Sequence, residues 1–147
     1  MKTFRCEVYP FEIWVGEMND IKGINKKFEF YNNVSDIDNP DSEPLLVDEK
    51  DTHFCGLTYI AVNKKSKLKG AMVFLNKKIM EREDAIVKGS VYSTIAHEAK
   101  HIVDIMSEEK GIAEAPTYDC NEHQAFLIGY IAGCIGQVWD TIKDKKS

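Results

Sequence analysis

The residues of this chain best placed to do chemistry are His97, Glu98 and His101, arranged as His97-Glu98-x-x-His101. On a helix, residues four apart stand nearly one above the other, so the two imidazoles point from one face at a single ion with the Glu98 carboxylate beside them. Imidazole is a common zinc ligand, and a neighbouring carboxylate can act as a base. A catalytic zinc takes three protein ligands and keeps a fourth position for water, so the pair needs one more donor. Glu122, His123, Asp119, Asp104, Cys120 and His53 are the candidates. One known arrangement places a third histidine six residues after the second with a glycine halfway, but Ser107 and Asp104 occupy those positions here.

The motif needs a helix and a sheet to hold it. Ser90 follows Gly89 as a competent N-cap, Gly111 is a stop, and Val91, Ile95, Ile102, Ile105 and Met106 supply an apolar stripe, which together predict a helix over 90–111. A second helix is expected from about residue 119–121 to 143. Its uncharged run 125–139 is short for a membrane span and reads as a buried core helix. Gly129, Gly133 and Gly136 are spaced to let that helix approach a neighbour closely.

Upstream, residues 3–15 (TFRCEVYPFEIWV) read as a strand, or one bent at Pro10, and residues 20–28 as a short helix weakened by Gly23. Residues 32–51 are acidic and irregular, a long surface loop able to cover a cleft. The Asp36-x-Asp38-Asn-Pro-Asp41 run lacks the EF-hand glycine and closing glutamate, and so reads as solvated loop. Residues 52–62 and 71–76 are strand-like and joined by the lysine-rich, hairpin-like stretch 63–70; residues 77–88 connect to the motif helix. An extended peptide would lie along a free strand edge beside that helix, and residues 71–76 are the expected edge.

Composition narrows the partners. A chain of 147 residues fits one domain, 1–147, with a proper core. With 19 Lys and Arg against 24 Asp and Glu, nucleic acid is not the expected main partner. Cys6, Cys55, Cys120 and Cys134 are far apart and form no CxxC pair, as expected of reduced thiols in the cytoplasm. The start, Met-Lys-Thr-Phe-Arg-Cys-Glu, has no apolar run of a secretory signal. Ser93 and Thr94 lack a base at nucleophile spacing, so covalent catalysis is not expected.

Asn121-Glu122-x-x-Ala125 begins twenty residues after His101, placing Glu122 twenty-one after it. With the HExxH segment, residues 93–133 resemble the compact gluzincin-type zinc metallopeptidases, and the pairing with Ala125-Phe-Leu-Ile-Gly-Tyr130 is similar to small zincin-like proteins of phages and prophages. The resemblance implies an α+β, zincin-like fold: a small mixed or mainly antiparallel sheet packed against the HExxH helix, with a C-terminal helix carrying the third ligand. It implies zinc held by His97, His101 and Glu122, with Glu98 the catalytic base in peptide hydrolysis. Zinc lowers the pKa of a bound water towards about 7, and Glu98 accepts its proton.

The chain departs from the thermolysin-like pattern at Phe126, where an aspartate orients a zinc histidine; Asp119 or Asp104 would have to serve instead. Tyr118, Tyr130 and His123 are available to assist an oxyanion. Rival roles exist for several of these residues. Glu122 could close an Asp119-x-x-Glu122 capping box. His123 points about 100° from Glu122 on a helix and suits the rim. His53 suits a structural place in its strand-like run. A fourth protein ligand, such as Cys120 or His123, would instead make a closed structural zinc site. A third reading is an interaction module, such as a host-protein inhibitor, on an inherited framework.

Overall fold

The computed structural model describes residues 1–6, 9–82, 90–112 and 122–146. It is α+β: a five-stranded mixed sheet with two long helices. The strands are β1 (Lys2–Arg5), β2 (Glu12–Glu17), β3 (Phe28–Tyr31), β4 (Gly56–Asn63) and β5 (Lys69–Leu75). After the single turn α1 (Lys77–Met80) come α2 (Ser90–Lys110) and α3 (Glu122–Ile142).

The sheet order is β1-β2-β5-β4-β3. Only the β2/β5 pair is parallel; the other neighbours run antiparallel. The stretch expected as one strand or a bent one is therefore the β1/β2 pair, with Pro10 between them. The expected short helix is two 3-10 turns, Met18–Ile21 and Ile24–Lys26, separated by Gly23 at φ 76°. That left-handed conformation suits glycine and stops the first turn from running into the second.

The strand expected to carry the free edge does not. β5 is paired along its length, to β2 on one side and β4 on the other. β2, brought in from the N-terminus, occupies the side that local sequence left open. β4, by contrast, has a stretch with one side unpaired among the described residues: β3 reaches only Ile60, so residues 56–59 pair with β5 alone.

Alternation along the strands divides the core into two layers. On one face, Ile13, Val15, Ala71, Val73 and Leu75 meet Ile95, Ala99, Ile102, Val103 and Met106 of α2 and Leu127, Ile131 and Ile135 of α3. On the other, Trp14, Met72 and Phe74 join Phe28, Phe30, Ile21, Ile24 and Val47. Residues 32–51 form the expected irregular segment, and Asn25 fixes it: Asn25 Nδ2 donates to the Val47 carbonyl and Val47 N–H to Asn25 Oδ1, both at 2.9 Å. Tyr59 stands edge-on to Phe30 and Phe74, at 5.3 and 6.4 Å between ring centroids. Such pairs add about 0.5–1.5 kcal/mol each beyond area burial and steady β4 where it lacks a neighbour.

α2 keeps its motif in register with the sheet through the stripe expected from sequence. Ser90 is the first described residue of α2, and its hydroxyl donates to the Met80 carbonyl at 2.5 Å. Gly111, at φ 67°, follows its last turn. α3 is long and apolar enough to cross a membrane by length and composition, yet one face packs on α2 and the sheet. Among the described residues, its glycines do not serve close approach. A Cβ added at Gly129, Gly133 or Gly136 meets nothing within 4 Å, because the buried face follows Leu127, Ile131, Ile135, Val138 and Ile142 instead.

Gly70 is the close-packed glycine. A Cβ there would lie 2.0 Å from the Glu12 backbone oxygen and 2.8 Å from Trp14 Cζ3. Gly70→Ala should therefore force β2 and β5 apart and cost about 3 kcal/mol, read as a lower denaturant midpoint. A midpoint equal to that of the parent chain would contradict this packing.

Candidate metal centre

The two motif histidines stand on the outward side of α2, one turn apart. Their Nε2 atoms are 3.0 Å apart and their ring centroids 4.6 Å, with planes at 78°. Two donors held tetrahedrally at ~2.0–2.1 Å from zinc lie about 3.3 Å apart, so the pair is close to the spacing zinc requires. Two of the three donors that a catalytic zinc takes are therefore of a fitting kind and separation.

Glu98 sits differently. The one-residue step from His97 turns it about 100° towards the sheet, where it is 4% exposed, against 66% for the His97 side chain. There Thr58 Oγ1 donates to Glu98 Oε2 at 2.5 Å. The other carboxylate oxygen, Oε1, lies 4.0 Å from His97 Nε2. Gly56 makes room for this side chain: a Cβ there would stand 2.7 Å from Glu98 Cγ and 2.9 Å from Thr94 Cγ2.

A groove of about 430 Å³ opens over these groups between α2 and the free stretch of β4. His97, Glu98, His101 and Asp104 line one side, Thr58 and Ile60 the other. Tyr31, Ile60 and Ile105 give it an apolar flank. Tyr31 and Tyr59 also line it, and both phenols titrate above the usual tyrosine value. Burial is the main cause for each, with Glu29 adding to it for Tyr31 and Asp51 and Asp48 for Tyr59. Both rings remain protonated donors at neutral pH, although the Tyr31 hydroxyl is already donated to Glu29 at 3.0 Å.

The chain matches no protein-family model, curated protein or solved structure. The reading of this site therefore rests on its own geometry. Among the described residues, no group of three or more His, Cys, Asp or Glu side chains is assembled to hold a metal.

Glu122 is the first residue of α3 and exposed, and it does not line the groove. Gln124 Nε2 approaches Ser107 Oγ at 3.4 Å, which sets the first turn of α3 beside α2 about 9 Å beyond His101 along the axis. Asp104 reaches the groove, with its carboxylate engaged by Lys100. His123 is turned to Tyr9, whose hydroxyl is 2.8 Å from His123 Nε2. Tyr130 donates to the Arg5 carbonyl at 3.1 Å, at the β1 end of the molecule. His53 is exposed and outside the groove. Tyr118, Asp119 and Cys120 lie outside the described residues; Cys6, Cys55 and Cys134 are free thiols.

Gly56, Thr58, Tyr31 and Tyr59 are the site residues that sequence reasoning missed. The first two left a faint signal, a glycine and a hydroxyl two apart on one face of an otherwise apolar strand.

Proposed function

We propose that this chain is a zinc-dependent peptidase of zincin type, with His97 and His101 as ligands, Glu98 as base and peptide or protein as substrate. The observation that carries the reading is the constellation itself: two imidazole nitrogens at 3.0 Å, with a carboxylate oxygen 4.0 Å from one of them, at a groove. Glu122 is the proposed third ligand on the strength of Asn121-Glu122-x-x-Ala125 alone, since in this structure it stands outside the groove.

When bound, zinc would supply an acidified water and polarise the carbonyl of the peptide bond to be cleaved. Glu98 Oε1 takes the proton released as that carbonyl is attacked and passes it to the departing amine nitrogen, which leaves as a neutral amine. Residues 56–59 of β4 offer backbone groups without a strand partner on the groove side, so an extended peptide can be held there by main-chain hydrogen bonds. The apolar flank of Tyr31, Ile60 and Ile105 suits an apolar side chain beside the scissile bond.

Hydrolysis of a mixed peptide library by the zinc-loaded chain tests the proposal. Cleavage that stops on chelation and returns with zinc is the expected result; no cleavage of any member would sink it. In the same assay Glu122→Ala should lower zinc affinity by more than about tenfold. Unchanged affinity would remove Glu122 from the ligand set while leaving the histidine pair in place.

A further inference from the structure

We infer that Thr58 and Gly56 of β4 are positioning residues for Glu98, so that a strand, not the motif helix alone, sets the aim of the base. The inference rests on the peptidase reading. A glutamate has three side-chain torsions, and HExxH spacing fixes none of them. Here one oxygen, Oε2, is tied down by Thr58 Oγ1 at 2.5 Å, which leaves Oε1 as the oxygen towards His97 Nε2. The side chain reaches Thr58 only because Gly56 is bare: its missing Cβ would fall 2.7 Å from Glu98 Cγ and 3.0 Å from Cδ. Gly56 and Thr58 are two apart on one strand, and so face α2 together. They lie in the stretch of β4 whose other edge is free, so the segment placed to hold a peptide also holds the base that acts on it.

The test compares Thr58→Val, Thr58→Ser and Gly56→Ala in the zinc-loaded full chain, each by crystal structure, zinc content and kinetics. Valine keeps the shape of threonine and removes the donor; serine keeps the donor. In Thr58→Val the Glu98 carboxylate should leave its position, and kcat should fall by roughly 100-fold with KM and zinc content little changed. Thr58→Ser should restore both the carboxylate position and kcat to within about threefold of the parent chain. Gly56→Ala should displace Glu98 while Thr58 remains, with a kcat loss of the same order.

A Glu98 carboxylate unmoved in Thr58→Val, or an unchanged kcat in an active parent, would overturn the inference. An equal loss of kcat in the valine and serine variants would overturn it as well. If the parent chain cleaves nothing, the peptidase reading fails, and the carboxylate position in the crystals alone decides whether Thr58 holds Glu98.

Discussion

Glu98→Gln should abolish peptide cleavage, by about a thousandfold in kcat, with zinc content and thermal stability held. Glutamine is the informative replacement because Glu98 is almost fully buried and its packing must be preserved. The amide oxygen can still accept from Thr58, while the amide nitrogen replaces the oxygen that faces His97. What is lost is the ability to take and return a proton. Alanine would confuse that loss with an emptied slot beside Gly56 and an unpaired Thr58 hydroxyl. Parallel measurement of kcat and zinc content checks the prediction. Cleavage within about tenfold of the parent would show that Glu98 is not the base.

His101→Ala should act on the other half of the site. Both histidines are exposed, so the alanine should leave the metal-free fold intact. It should weaken zinc binding by more than about a hundredfold, since even partners one shell removed from a metal are worth 10–100-fold. In the parent chain, zinc at 100 times its Kd should stabilise by about 2.7 kcal/mol, a clear rise in Tm, because the ion binds the folded state. His101→Ala should show no such rise at the same zinc concentration. An equal rise in both proteins would place the zinc elsewhere.

These variants act on the part of the site that was readable in sequence. HExxH spacing places two imidazoles on one helical face by geometry, and the stripe of Ile95, Ile102 and Met106 turns that face outward. The α+β class and the two long helices followed from the same local periodicity.

Beyond the β4/β5 hairpin, which is present as expected, local pattern could not supply the partnership of strands. β5 looked free because its neighbour β2 lies more than fifty residues upstream and joins it in parallel. Thr58 bonds a carboxylate forty residues away, a relation that no window of sequence contains. Tyr31 reaches the groove by the same long-range route, through the β3/β4 pairing, and Tyr59 lies in the part of β4 beyond that pairing. The glycines of α3 failed for a different reason. Their spacing marks one side of a helix, but the larger apolar residues decide which side is buried, and they chose the other.

The groove takes no described side chain from α3. Phe126 is exposed, and His123 and Tyr130 are engaged with Tyr9 and Arg5. Glu98 is supported from the sheet, through Thr58 and Gly56.

The most direct test of the central claim is anomalous scattering at the zinc edge from crystals of the zinc-loaded chain. The account predicts a single strong peak at about 2.0–2.1 Å from Nε2 of both His97 and His101, with a position left open towards Glu98. No peak between the histidines, or a fourth protein side chain closing the position that faces Glu98, would contradict it.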